Sequence, residues 1–434
     1  MKPRISLSIC ILLLATQACG LGPASAASTP SAITNRDAAA VATQVALQLT
    51  AAAPGTLTAP DDSATSPNLP AGSLLLVYSQ AGNLRLWDGS APRQLTASGQ
   101  DAAPRFSDDG SVIAFRRQRD LWAINVDGSG ERLLVSGAFL AALPNAAGGP
   151  LEPGLFAFAP RSHALYFNTS LADGSSSVPQ GDLLSVDADN PAPQVLLNTG
   201  QGGAGFSFSP DGGRIALARS DRINMVNLDG SGLKTVFSFP PVNMGSGSSY
   251  IPQVVWTPDS TGFETVIPPA DGLANPAAPS RFMFVPADGS RAAQLAEFIA
   301  APASADAPRI SPDGARVLYV RPQGASLELH IIDASTADRA YFSYAADKFG
   351  TLGWAPDSLH MLYWIDDRRR AYLGSSEAQA IPVSDLAFAE QVTWLDTTHC
   401  LFLDGAELRL RNLGQPSLRI DTADPGGFDF ALPH

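Results

Sequence analysis

The chain has 434 residues, 45% apolar and 16% charged residues, and a formal net charge of −13. A large core is possible, and the negative charge argues against a nucleic acid or an anionic membrane surface as partner, because phosphate-rich ligands need a positive surface. Three cysteines are too few for a disulfide framework, and the absence of paired CxxC motifs argues against structural zinc. We expect no metal site.

The N-terminal segment MKPRISLSICILLLATQACG has the pattern of an export signal. Lys2 and Arg4 precede an apolar run that is too short to span a bilayer, so residues 1–18 predict a signal peptide. Cys19 stands where such a signal is cleaved, and the segment resembles a bacterial lipoprotein signal whose cysteine becomes lipidated. We therefore predict an exported protein that is lipid-anchored at the cell envelope through Cys19. The alternative is that ordinary signal cleavage at residues 24–26 releases a secreted or periplasmic soluble protein.

The next segment, residues 19–70, is rich in Ala, Ser, Thr, Pro and Gly. Because such a composition buries too little apolar surface to offset the entropy of ordering, we predict a tether. Within it, helix-forming residues with apolar positions spaced by four indicate a short helix over 37–52. Residues 71–434 are predicted to form the folded domain.

This domain is repetitive, with a period in the 40s and low 50s. Each unit opens with an apolar or aromatic anchor before Ser/Thr/Ala-Pro-Asp or a degenerate version of it. The seven anchors are Phe106, Phe158, Phe208, Trp256, Ile310, Trp354 and Trp394. A turn and a β-branched or aromatic run follow each anchor, and Asp-Gly-Ser turns mark a second pair of strands. Each unit is therefore predicted to form a four-stranded sheet. Such a sheet must stack on neighbouring units to bury both of its faces.

The Ser-Pro-Asp-Gly segments contain the residue types that tight hairpins require. Proline fixes one dihedral angle, Asp accepts backbone hydrogen bonds and Gly supplies positive φ. We therefore interpret Asp211, Asp259, Asp313 and Asp357 as turn residues. Metal ligation is the alternative, but single carboxylates in separate units do not converge.

The unit over 105–134 carries the pattern most fully, as RFSDDGSVIAF followed by DLWAINVDGSGERLL. This F-S-P-D-G…I-A-F…D-L-W…D-G-S-G pattern resembles the TolB-like β-propeller repeat, a relative of the WD repeat, over essentially everything after the tether. The resemblance implies an all-β propeller of four-stranded blades. Such propellers serve as scaffolds, periplasmic partners and peptidase accessory domains. TolB proteins have an additional N-terminal domain where this chain has only the tether.

The two ends of the domain indicate how the ring closes. Residues 73–96 supply three strands without a first strand, and 428–432 supply one apolar strand without partners. Pairing of these chain ends predicts eight blades of about 45 residues each. Seven blades are the alternative if one degenerate unit, the last above all, is irregular.

The two ends of the propeller are predicted to differ. One end, here called the turn face, carries the Ser-Pro-Asp-Gly and Asp-Gly-Ser turns. The other, here called the loop face, carries long connections over 137–153, 168–181, 237–252 and 268–280. Loops on a rigid scaffold are common binding sites. Four apolar side chains on these loops could contact a partner or cover the neighbouring blade: Phe139, Phe239, Met244 and Tyr250.

Nine arginines are predicted to lie on the loop face. They are Arg116, Arg117, Arg119, Arg219, Arg222, Arg321, Arg368, Arg369 and Arg370. Acidic residues are interspersed among them, so one interpretation is a ring of surface ion pairs. The other is an arginine-lined mouth of the central channel that binds a carboxylate, a phosphorylated ligand or an acidic protein tail.

Enzyme motifs are scarce. There is no GxSxG or HExxH motif, the five histidines are scattered, and the GxGxxG match over 200–205 is not followed by a predicted helix. We therefore expect no cofactor and predict a monomeric, non-catalytic scaffold that binds an envelope protein or a small anionic ligand through its loop face. The alternative is a hydrolase or lyase that acts on polysaccharide or peptide in the central pocket, which would need paired carboxyl groups or a Ser/His pair.

Overall fold

The computed structural model describes residues 74–145, 148–173, 176–245, 249–302, 307–324, 326–333, 338–344, 348–376, 378–412, 415–425 and 427–432. These residues form eight antiparallel sheets, seven of them four-stranded and one five-stranded. The prediction of an eight-bladed propeller is therefore confirmed, and the alternative of seven blades is wrong. The predicted signal peptide, Cys19, the tether and its helix over 37–52 lie outside the described residues.

The first four blades come from the N-terminal half of the domain. Blade 1 contains β1 (Leu75–Gln80), β2 (Asn83–Trp87) and β3 (Arg93–Gln94), and blade 2 contains β4 (Asp101–Phe106), β5 (Val112–Arg117), β6 (Asp120–Asn125) and β7 (Arg132–Val135). Blade 3 contains β8 (Leu151–Phe158), β9 (Ala164–Asp173), β10 (Ser176–Pro179), β11 (Leu183–Asp187) and β12 (Gln194–Leu197). Blade 4 contains β13 (Gly205–Phe208), β14 (Arg214–Ala218), β15 (Arg222–Asn227) and β16 (Lys234–Ser238).

The remaining blades follow in chain order. Blade 5 contains β17 (Val255–Trp256), β18 (Gly262–Ile267), β19 (Ser280–Pro286) and β20 (Ala293–Phe298), and blade 6 contains β21 (Arg309–Ile310), β22 (Arg316–Gln323), β23 (Ser326–Asp333) and β24 (Arg339–Tyr344). Blade 7 contains β25 (Phe349–Trp354), β26 (His360–Ile365), β27 (Arg370–Ser375) and β28 (Ala378–Pro382). Blade 8 contains β29 (Glu390–Trp394), β30 (His399–Asp404), β31 (Glu407–Asn412) and β32 (Leu418–Thr422), and β33 (Phe428–Ala431) comes last.

The ring closes through the last strand of the chain. β33 pairs antiparallel with β1, with Phe430 opposite Leu76 and Phe428 opposite Tyr78, and so becomes the first strand of blade 1. The carboxylate of Asp429 accepts a hydrogen bond from the backbone N–H of Phe106, the last residue of β4, at 2.8 Å. The closing strand therefore contacts both blade 1 and blade 2.

The apolar core is divided among the junctions between blades. Eight buried clusters are present in the described residues, and each joins two successive blades. In β1, Leu76 and Tyr78 pack against blade 8, whereas the intervening Val77 packs toward blade 2. Because strand side chains alternate between the two faces of a sheet, each blade contributes to two clusters.

The predicted anchors end the first strands of blades 2 to 8. First strands of successive blades contact one another, as β33 contacts β4 and β21 contacts β25, so they surround the central axis. Two anchors also bond to the preceding blade. The indole N–H of Trp354 donates to the carbonyl of Arg309 at 3.0 Å, and that of Trp256 donates to the carbonyl of Ser207 at 3.4 Å.

The turn interpretation of the Ser-Pro-Asp-Gly segments is confirmed. The Oδ1 atom of Asp313 accepts the N–H of Ala315 at 3.0 Å, and Gly314 between them has a φ of +72°. The N–H of Asp313 in turn donates to the hydroxyl of Ser358 in blade 7 at 2.9 Å. Asp313 therefore orders its hairpin and joins it to the next blade, and the N–H of Asp211 makes the equivalent bond to Ser260. Asp211, Asp259 and Asp357 accept the equivalent backbone hydrogen bond in their own turns.

Two features of the connections differ from the sequence prediction. The segment 168–181, expected to be a loop, is mostly strand, because β9 continues past the blade edge and pairs with β10 through Leu171 and Val178. The connection before β8 contains a helix, α1 (Gly137–Ala141), and the connection before β29 contains a 3-10 helix (Ser384–Leu386). No helix in the described ranges is long and apolar enough to cross a membrane.

We predict that removal of the bond between the closing strand and blade 2 destabilises the whole domain. Asp429→Ala leaves the N–H of Phe106 without its acceptor, and an unsatisfied buried donor costs about 1–3 kcal/mol. Urea unfolding measures the loss. The control is Asp271→Ala, at an exposed residue in the loop between β18 and β19, which should change the free energy of unfolding by less than about 0.5 kcal/mol. Equal stability of the two variants would contradict the closure described above.

Candidate binding site on the loop face

All nine predicted arginines lie at the loop end of their blades. Each stands at the end of a second strand, in the turn after it, or at the start of a third strand, in blades 2, 4, 6 and 7. The antiparallel pairing of these strands places the turns between second and third strands on one end of the propeller. The structure thus places the nine residues on the predicted face.

Most of these arginines already have partners within the protein. Arg117 forms ion pairs with buried Asp101 at 2.6 Å and with Glu131 at 2.7 Å, and its guanidinium lies 4.7 Å from the ring centre of Trp122. Hydrogen bonds to these carboxylates raise the pKa of Arg117, against the opposing effect of burial. Arg117 is therefore part of the blade 2 structure.

Five other arginines are similarly held. Arg219 donates to the carbonyls of Gly200 and Gly202 at 2.6 and 2.9 Å. The remaining ion pairs join Arg222 to Asp221 at 2.6 Å, Arg321 to Asp338 at 3.4 Å, Arg368 to Glu390 at 3.5 Å and Arg370 to Asp366. Exposed pairs of this kind contribute about 0–1 kcal/mol each, so they hold side chains in place more than they stabilise the fold.

Three arginines, Arg116, Arg119 and Arg369, make no side-chain hydrogen bond or ion pair with the described residues. Arg119 and Arg369 are exposed and Arg116 is half-buried. They belong to blade 2 and blade 7, which are separated in the ring by blades 1 and 8. Among the nine predicted arginines, unpaired positive charge is thus divided between two separate sites on the loop face.

The blade 7 site has an unusual backbone. Asp366, Asp367 and Arg368 have φ values of +55°, +55° and +69°, and Phe388 in the connection to blade 8 has a φ of +63°. A bulky residue in the left-handed region is strained, and such strain concentrates at functional sites. The N–H of Phe388 donates to the carbonyl of Arg368 at 2.8 Å, which joins the two segments.

The same site exposes apolar surface. The Phe388 residue is 56% exposed, and Ile381, near the end of the outer strand β28, is 61% exposed. We call Arg368, Arg369, Ile381 and Phe388 the blade 7 patch. Sequence reasoning predicted the two arginines and missed both apolar residues. Phe388 lies in an irregular connection that no periodicity marks, and the exposure of Ile381 in β28 depends on packing. The positive φ of Phe388 is not visible in the sequence.

The four loop side chains proposed as apolar contacts behave differently. Phe239 and Tyr250 are buried, Phe139 packs against the cluster between blades 2 and 3, and Met244 is half-buried. The hydroxyl of Tyr250 donates to the carbonyl of Val266 at 2.8 Å. Phe239 and Tyr250 thus cover neighbouring blades, which is the use that the sequence favoured, because little of either side chain reaches solvent.

Carboxyl groups on the first strands bear on the catalytic alternative. Four are present in the described first strands: Asp101, Glu152, Glu390 and Asp429. Three of them are bound, Asp101 to Arg117, Glu390 to Arg368 and Asp429 to the N–H of Phe106. Of the four, only Glu152 makes no side-chain hydrogen bond or ion pair with the described residues. These bonds disfavour a pair of free carboxyl groups for acid–base chemistry.

A Ser–His–Asp arrangement that the sequence did not predict lies on the turn face, at the junction of blades 2 and 3. The Nε2 atom of His163 is 3.1 Å from the hydroxyl of Ser111, and its Nδ1 atom is 2.8 Å from Asp189. Asp109 also lies 3.2 Å from Nε2 and accepts from the Ser111 hydroxyl at 2.8 Å. Burial lowers the pKa of His163, but its hydrogen bonds to Asp189 and Asp109 outweigh burial and raise it.

This arrangement lacks features of a serine nucleophile. Asp109 competes for the Ser111 proton, and a raised pKa favours imidazolium, which cannot accept that proton. The N–H of Ser111 already donates to Asp109, and that of Val112 donates to Ser107, so neither is available to an oxyanion. The side chains instead join two blades through an ion-pair network.

Another titratable group on the turn side is Glu264 of β18. It is 8% exposed, and its Oε2 atom has no hydrogen-bond partner among the described residues. A Cβ atom on Gly314 of blade 6 would lie 2.5 Å from that oxygen, so the carboxyl group packs directly against the blade 6 turn. Burial raises the pKa of Glu264 to about 7, and the charge of Asp313 adds to this effect.

Several solved structures resemble this chain at low sequence identity. No protein-family model and no curated protein sequence matches the chain. A eukaryotic initiation factor structure has a TM-score of 0.49 at 11% identity, covering 81% of this chain and 85% of that one. TolB from Acinetobacter baumannii has a TM-score of 0.32 at 14% identity, covering 71% and 69%. Oligogalacturonate lyase from Vibrio parahaemolyticus has a TM-score of 0.44 at 10% identity, covering 71% and 90%. At these identities, no activity transfers to this chain.

We predict that Glu264 makes the domain less stable as the pH rises. The folded state keeps a proton that the unfolded state releases near pH 4.5, so stability falls between about pH 4.5 and 7 and stays lower above that range. Glu264→Gln should therefore stabilise the protein relative to wild type by roughly 2–3 kcal/mol more at pH 8 than at pH 5. Urea unfolding at both pH values measures the difference. A pH-independent difference would show that Glu264 is not the group responsible.

Proposed function

We propose that this protein is an exported, non-catalytic binding protein of the cell envelope, and that the blade 7 patch binds an acidic segment of a partner protein. The export signal and Cys19 support the location. The observation that carries the binding proposal is Phe388, an exposed aromatic residue in a strained backbone beside Arg368 and Arg369.

The chemistry of the patch fits such a partner. Aromatic residues and arginine provide much of the binding energy in protein interfaces, and an exposed ring can become fully buried on association. Arg369 has no carboxylate partner among the described residues, and Arg368 is held only by an exposed ion pair with Glu390 at 3.5 Å. Both guanidinium groups can bind a carboxylate in bidentate fashion. An apolar side chain flanked by Asp or Glu is therefore the favoured ligand.

The catalytic alternative is a hydrolase or lyase that acts in the central channel. One of the similar structures is described as an oligogalacturonate lyase, at 10% identity. That likeness carries no argument for activity in this chain. Asp101, Glu390 and Asp429 are already held by bonds within the protein, so they are poorly suited to acid–base chemistry. This favours the binding proposal over the catalytic one.

We predict that a double variant of the patch loses its partner. Arg369→Ser with Phe388→Ser removes one unpaired charge and one exposed ring, and loss of a central aromatic contact typically costs 2 kcal/mol or more, about thirty-fold in affinity. The measurement is capture of proteins from envelope extract by the folded domain, with quantitative mass spectrometry.

The matched control is Arg291→Ser with Leu233→Ser, which changes the same kinds of residue on the turn face. Arg291 is exposed and Leu233 is 38% exposed. The proposal requires a partner that wild type and control capture and the patch variant does not. A partner retained by the patch variant, or no partner captured by wild type, would contradict it.

A further inference from the structure

A second candidate site lies away from the blade 7 patch, between the first strands of blades 4 and 5. A cavity of about 300 Å³ is present there, at the lower end of the size range of small-molecule sites. Its lining is mainly apolar and includes Phe206 of β13, Ala216 and Ala218 of β14, and Ile251 and Val254 before β17. Because first strands surround the axis, this cavity borders the central channel.

The lining provides an apolar wall and no charged side chain. Ile251 is half-buried, and Phe206, which also lines the cavity, packs against the cluster between blades 3 and 4. The Phe206 ring makes an edge contact with Phe208, at 5.7 Å between ring centres, so its position is fixed by packing. A rigid, partly exposed apolar surface of this kind favours an apolar ligand group, since burial contributes about 0.8 kcal/mol per methylene.

An arginine without an ion-pair partner in the described ranges lies on the first strand of the next blade. Arg309 is exposed at the start of β21, the first strand of blade 6, and its guanidinium makes no ion pair with the described residues. The next residue, Ile310, donates its N–H to the side-chain carbonyl of Gln253 at 3.4 Å. Burial raises the pKa of Tyr250, and the charge of Arg309 opposes that effect. Arg309 is thus near the 250–254 segment that forms one side of the cavity.

We propose that this cavity and Arg309 form a binding site for a small carboxylate with an unbranched apolar body. The apolar body would lie against Ala218 and Ile251, and the carboxylate would accept hydrogen bonds from the Arg309 guanidinium. The site does not depend on the blade 7 patch, which is on another blade and has a different proposed ligand. It adds a small-molecule function to a protein-binding scaffold.

The probe for the test is octanoate, with octylamine as a ligand of opposite charge, titrated by isothermal titration calorimetry. Arg309→Ser removes the cation and should weaken octanoate binding at least ten-fold. Ile251→Trp fills the cavity and should weaken it to a similar degree. Each methylene added from hexanoate to octanoate should strengthen binding about four-fold. Octylamine should not bind.

Two controls separate this site from general effects. Arg291→Ser removes an exposed arginine on the turn face and should leave octanoate affinity unchanged. Phe388→Ser should also leave octanoate affinity unchanged, because the blade 7 patch is a separate site. The two proposals can therefore fail independently of each other. Thermal unfolding verifies that each variant is folded. The proposal is overturned if wild type does not bind octanoate, or if Arg309→Ser and Ile251→Trp bind it as wild type does.

Discussion

The burial of apolar side chains between successive blades is the interaction on which the rest of the structure depends. Alternation along β1 sends Leu76 and Tyr78 to one junction and Val77 to the other, so a blade that lost either neighbour would expose half of its core. A ring satisfies all junctions only if it closes. Pairing of β33 with β1 therefore stabilises all eight blades together, although it adds one short strand.

This constraint explains why the two faces differ chemically. On the turn face, short hairpins bond to the next blade, as the backbone N–H of Asp313 does to the hydroxyl of Ser358. Polar groups there are used in holding blades together, and the Ser111 and His163 pair belongs to that network. On the loop face, connections are longer and less constrained. Strained and exposed residues such as Phe388 can persist there because the scaffold beneath them is rigid.

The sequence predicted the fold well because its signals are local and repeated. Anchors such as Trp354, the Asp-Gly turns and the unpaired chain ends each identify one position in a blade, so the strand order and closure could be deduced. The candidate sites were harder to predict. Which arginine is paired depends on distant carboxylates, as Arg117 depends on Asp101. The exposure of Phe388 and the cavity beside Ile251 depend on three-dimensional packing that no periodicity records.

The central claim is that the loop face binds and the turn face is structural. Site-specific photo-cross-linking in the cells that make the protein tests it most directly. A photoreactive amino acid replaces Arg369 or Phe388 on the loop face, and Arg291 or Leu233 on the turn face. Our account predicts a discrete cross-linked partner from the first pair of positions and none from the second. Cross-links that form equally from both faces, or only from the turn face, would contradict it.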